Sequence, residues 1–203
     1  MTQRIRMTAI CTIALSLLTI GACARQPSHL YLAPMHGAPE MVEPLAAYYR
    51  EQLGLQVEIL PALQPPTAAF DEQRRQLIAE RLIDMLRLTY AQQARSGSVI
   101  AITSWDMYIA DRPWLFGFSW RQPPYAVVSY ARMDPVKLGG FANRDRLMAR
   151  LRKMVSRNVG IMLFDLPLNS NRDSLMYQDV MGVDELDRVD EDLAAAGFPI
   201  PAR

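Results

Sequence analysis

The sequence predicts a single α/β domain with a mixed sheet, three main helices and a short C-terminal helix. Three observations carry this. Residues 30–59 read as strand, helix and strand in succession. Residues 71–95 and 143–164 carry apolar stripes at helical spacing. Two β-rich segments joined by Pro123-Pro124 read as a hairpin. The first unit implies parallel neighbours, the last an antiparallel pair, and together they make the sheet mixed.

Leu30 to Met35 is the first strand, and Ala24 to Ser28 before it is too polar to be part of it. Pro39 and Glu40 suit the first turn of a helix whose Met41, Leu45, Tyr49 and Leu53 share a face. Gly54 suits the position just past its end. Leu55 to Ile59 alternates as a half-buried strand does, and a right-handed crossover places it beside the first. Pro61, Pro65 and Pro66 make a loop. Asp71 to Arg95 is predicted as one long helix, with Ile78, Leu82, Met85 and Thr89 on a stripe and Gly97 just beyond. Val99 to Thr103 is a strand, and Phe116 to Trp120 with Tyr125 to Ala131 form the hairpin. Asn143 to Phe164 is the third long helix, inward along Leu147, Leu151, Met154 or Val155, Asn158 and Met162. Asp184 to Ala196 is the terminal helix, with Leu186, Val189 and Leu193 inward and Gly197 as its stop.

Composition narrows the chemistry. Half of the 203 residues are hydrophobic, which excludes a disordered chain. A formal charge of +1 gives no field for nucleic acid, so none is expected as a partner. Two cysteines cannot build a disulfide framework or a cysteine zinc cluster. The two histidines, His29 and His36, leave little for metal binding or proton transfer.

The N-terminus reads as an address. Arg4 and Arg6 precede an apolar run from Thr8 to Ile20, 13 residues long. A membrane-spanning helix needs roughly 20 residues, so the run suits a signal peptide. Ile20-Gly21-Ala22-Cys23 resembles a bacterial lipobox, which implies cleavage before Cys23 and lipidation of Cys23. Residues 1–22 are then a signal peptide, 23–28 a lipidated tether and 29–203 the folded domain. Cys11 leaves with the signal, so no disulfide is expected. Acyl chains such as palmitate would anchor the chain to the membrane, each buried CH₂ contributing roughly 0.8 kcal/mol. Ala24 after the cysteine resembles the sorting pattern for the outer membrane, so the expected location is the periplasmic side of a bacterial envelope.

The third helix carries Arg144, Arg146, Arg150, Arg152, Lys153 and Arg157, and the terminal helix Asp184, Glu185, Asp187, Asp190, Glu191 and Asp192. The contrast reads as two solvated faces packed near each other, with a basic patch for anionic lipid headgroups as the alternative. Aromatic residues concentrate at Trp105, Tyr108, Trp114, Phe116, Phe118 and Trp120. Core and hairpin packing accounts for most of them, and exposed ones would make a binding surface.

The local words resemble archaemetzincin-type zinc peptidases. Ile102 to Asp111 followed by Phe116-Gly117 is similar to that family's strand, acidic-aromatic stretch and Phe-Gly. Val127-Val128-Ser129-Tyr130-Ala131-Arg132 resembles its rim strand, and Arg150 and Lys153 lead into the helix that bears the metal motif. The resemblance covers roughly residues 29–192 and implies a metzincin-like fold. It also implies H-E-x-x-H on that helix, with two histidines one turn apart gripping Zn²⁺ and a glutamate activating its water. In this sequence the ligand positions fall on Arg157, Ile161 and Pro167, the general base on Asn158 and the helix-ending glycine on Phe164. Gly160 matches a glycine of the motif, and Met176 in Ser174-Leu175-Met176-Tyr177 matches the Met-turn.

No catalytic residue, metal or cofactor is therefore expected. The first expectation is an inactive homologue that binds peptide or protein, with Arg157 holding a carboxylate. The alternatives are a hydrolase with a relocated site, His36 working with Asp106 or Asp111, and a structural envelope lipoprotein. Ser156 has no histidine near it on its helix, and Asp106 and Asp111 otherwise read as turn caps.

Overall fold

A computed structural model describes residues 29–201. The segments read as signal peptide and tether, with Cys23, lie outside the described residues. In chain order the elements are β1 (His29–Pro34), α1 (Pro39–Leu53), β2 (Val57–Ile59), β3 (Phe70–Asp71), β4 (Gln76–Ile78), α2 (Ala79–Thr89), β5 (Gly97–Thr103), β6 (Met107–Tyr108), β7 (Ser119–Gln122), β8 (Tyr125–Ser129), α3 (Arg144–Phe164) and α4 (Val183–Arg188).

The main sheet runs β2-β1-β5-β8-β7. All its pairings are parallel except β7 with β8, so β7 is an antiparallel edge strand. Period-two alternation sends successive residues of each strand into different cores. Leu30, Leu32, Ile100, Ile102, Ala126 and Val128 pack against α1, α3 and the C-terminal segment. Tyr31, Ala33, Val99, Ala101 and Val127 pack on the opposite side, with α2. Both faces are covered, which is why these strands are so continuously apolar.

The βαβ unit is as the sequence predicts, with α1 ending on Gly54 at φ +61°, a left-handed conformation that favours glycine. The Asn143 side chain caps α3 by accepting from the Arg146 N–H at 2.8 Å.

Two helices are shorter than predicted. Residues 71–95 do not form one helix. Asp71 accepts from the Arg74 N–H at 3.0 Å, Arg75 turns at φ +55°, and β3 pairs antiparallel with β4 before α2 begins. Gly97 belongs to β5 and caps no helix. The small sheet closes through Leu77 and Ile78 beside Met107 and Tyr108, a pairing distant in sequence. The terminal helix stops at Arg188 because Val189 is extended and the Asp190 N–H donates to the Asp173 carbonyl at 2.7 Å. Leu186, Val189 and Leu193 are nonetheless buried as expected. In the hairpin, the predicted strands Phe116–Trp120 and Tyr125–Ala131 become Ser119–Gln122 and Tyr125–Ser129.

The charge contrast resolves into packing. Arg150 pairs with Asp187 and Arg152 with Glu191, and the Lys153 ammonium donates to the Leu186 and Asp187 carbonyls at 3.1 and 3.2 Å. These cations are taken up by the acidic segment and are not free for lipid headgroups. Among the described residues no helix is long and apolar enough to cross a membrane.

Candidate functional site

A cleft of about 150 Å³ opens between α3 and the edge strand β7. On α3, Met154 and Arg157 stand three residues apart and so share a face. On β7, Ser119 and Arg121 stand two apart and so point the same way. Phe116 and Phe118 form one wall, edge to face at 5.3 Å, and Leu168, Gln178 and Val180 close the opposite side. None of the lining residues is acidic.

Arg157 is only 6% exposed, and its Nη1 donates to the Leu175 carbonyl at 2.7 Å. Burial pulls its pKa down to about 10, and Arg121 pushes the same way by repulsion. Arg121 is lowered too, by burial. Among the described residues its guanidinium makes no hydrogen bond and no ion pair. The cleft thus holds one buried and one half-buried cation, with no carboxylate in its lining.

The structure brings only some of the sequence-predicted site residues together. Arg157 reaches the turn at Leu175-Met176. That turn is pinned by the Tyr177 N–H on the Ser174 carbonyl and the Asn169 N–H on the Met176 carbonyl, both at 2.9 Å. Asn158 is fully buried and outside the cleft lining; its Nδ2 donates to the Met154 carbonyl at 2.8 Å and its Oδ1 has no partner. Ile161 packs on the main apolar core, and Pro167 is exposed. The backbone turn predicted at Phe164 falls one residue later, on Asp165 at φ +52°. Among the described residues no three His, Cys, Asp or Glu side chains gather as a metal site.

Gly160 explains itself by packing. A Cβ there would lie 2.9 Å from Phe198 Cζ and 3.2 Å from both Met176 Sδ and Leu166 Cδ1. Alanine is the better helix former by about 1 kcal/mol, yet overpacking costs about 1–3 kcal/mol. Gly160→Ala should therefore lower stability in urea unfolding, with a net loss of about 1 kcal/mol. A gain would mean that Phe198 moves aside freely.

The relocated site is not assembled. His36 is exposed and meets Trp105 edge-on at 5.1 Å. No hydrogen bond joins it to Asp106, which accepts from Gln76 at 2.9 Å and from Arg132 at 2.7 Å, or to Asp111, which is exposed. Trp105 and Trp114 are partly exposed, whereas Tyr108 and Phe118 are buried.

Sequence reasoning missed Arg121. The predicted hairpin strand ends at Trp120, one residue short of Arg121, whereas the observed strand runs from Ser119 to Gln122. Nothing local, moreover, says that this strand edge faces the third long helix.

No family model matches the chain. The archaemetzincin of Halobacterium salinarum is 35% identical over 135 residues, spanning 64% of this chain and 74% of that protein. The crystal structure of the archaemetzincin from Methanopyrus kandleri superposes with a TM-score of 0.62 at 24% identity, covering 80% of this chain and 87% of the other. That of a zinc-dependent peptidase from Methanocorpusculum labreanum gives 0.65 at 22% identity, covering 79% and 93%. The structures share the mixed sheet and its helices, and the sequence identity extends through most of the haloarchaeal relative: this chain belongs to the archaemetzincin family.

Proposed function

We propose that this archaemetzincin-family chain is a non-catalytic, lipid-anchored protein of the bacterial cell envelope that binds peptide or protein in the cleft beside α3. The carrying observation is the chemistry of the donor set. Zinc needs lone pairs from imidazole, thiolate or carboxylate. Arg157 offers only N–H donors, Ile161 and Pro167 offer hydrocarbon, and the Asn158 amide is neutral and outside the cleft lining. These residues do not fit a zinc ion, and a guanidinium at the first ligand position repels one.

Two features favour binding over a purely structural role. The cleft is open. Among the described residues, its rim is also an unpaired strand edge. The Phe118 carbonyl accepts from the Ser129 N–H at 2.9 Å. Alternation of hydrogen-bonded pairs then turns the main-chain groups of Ser119 and Arg121 outward. An extended segment adds to such an edge by main-chain hydrogen bonds, which need no metal.

The anchor rests on Cys23 and the apolar segment before it, and Cys23→Ser should move the protein from the membrane to the soluble fraction. Zinc titration of the purified chain should show no stoichiometric uptake, and peptide substrates should survive equally with and without chelator. Tight stoichiometric zinc, or cleavage that chelator stops, overturns the non-catalytic reading.

A further inference from the structure

We infer that the cleft binds the C-terminal carboxylate of an extended peptide between Arg157 and Arg121. The inference deepens the binding role just proposed and rests on it.

A buried guanidinium and a half-buried one beside it, with no counter-charge in the cleft lining, are costly, and a cleft that keeps both is poised for an anion. Arg157 spends one donor on Leu175, and Arg121 spends none, so most of their N–H groups remain for a ligand. A carboxylate has two oxygens that match planar guanidinium forks from two sides. Phe116, Met154 and Leu168 also line the cleft. Those same side chains suit the hydrocarbon of an apolar last residue. Ser119 and Arg121 also present main-chain groups along the edge, so the chain leading to that residue can lie extended beside β7.

The test uses the full chain in non-ionic detergent, titrated calorimetrically with acetyl-Ala-Ala-Phe, with its C-terminal amide and with inorganic phosphate. The acid should bind about tenfold or more tightly than the amide, as charge-assisted hydrogen bonds require. Arg121→Gln should erase that preference without lowering the melting temperature, because among the described residues the side chain makes no hydrogen bond or ion pair that the variant would lose. Arg157→Gln should do the same to binding, but it also strips the Leu175 carbonyl of its donor, so the Arg121 variant carries the decision. Equal binding of acid and amide overturns the carboxylate assignment and leaves the binding role standing. Phosphate binding that depends on Arg121, with no peptide bound, overturns the assignment in favour of a phosphate site. Binding of neither peptide overturns both the assignment and the binding role. Chelator-sensitive cleavage overturns the non-catalytic reading alone, because the acid–amide preference is measured separately.

Discussion

Tyr49→Ala should destabilise the domain by about 3–5 kcal/mol, the range for emptying a buried aromatic site. Tyr49 is fully buried where α1 meets α3, and its hydroxyl donates to the Arg152 carbonyl at 3.2 Å and shares a 2.9 Å hydrogen bond with Ser156. The ring also meets Tyr48 edge to face at 5.2 Å. Alanine leaves a cavity and strands Ser156, itself 1% exposed, without that partner. Tyr49→Phe separates the two effects and should cost about 1–2 kcal/mol, the hydroxyl's share. Burial raises the phenol's pKa, so it stays neutral and contributes no pH dependence. Urea unfolding of both variants reads the difference. A loss below about 1 kcal/mol for the alanine variant would mean that the two helices close over the gap.

Asp187→Ala should be nearly as damaging, at about 2–4 kcal/mol, because it strands a buried cation. Arg150 is 5% exposed and donates to Asp187 at 2.7 and 2.6 Å and to the Met133 carbonyl at 2.7 Å. The Asp187 side chain is 42% exposed, which keeps the expectation below that for a fully enclosed pair. The hydrogen bond from Arg150 holds the Asp187 carboxyl below the usual carboxylate range. A folded-state pKa below the unfolded one stabilises the protein above the unfolded value, and that stability disappears as pH falls through the folded value. The melting temperatures of wild type and Asp187→Asn should therefore differ most above about pH 4–5 and converge toward pH 2. A gap that persists in acid would show that the pair's contribution is packing and not charge.

Both sites lie on elements that were largely legible in the sequence. The i+4 stripe through Tyr49 marks α1, β1 is mostly apolar, and β5 and β8 are both apolar and β-branched. Legibility failed where a non-local partner competes with a local pattern. Ile78 to Thr89 has a helical stripe, but extending it back to Asp71 overlooked that Leu77 pairs with Met107. The terminal stripe continues past Arg188 in sequence, yet the backbone of Asp190 is claimed by Asp173. The cleft divides the same way. Arg157 is found by counting along one helix, and Arg121 only by knowing which strand edge lies opposite. Ile161 and Pro167 do not line the cleft.

The placement of β1 has a mechanical consequence. It is the first strand, yet it lies inside the sheet, paired in parallel with β2 on one flank and along its whole length with β5 on the other. Tension applied from the N-terminal side of His29 runs along this strand and loads both flanks in shear. The ladder hydrogen bonds must then break together instead of peeling one by one. Load entering through β1 is thus shared by both flanks of the sheet at once.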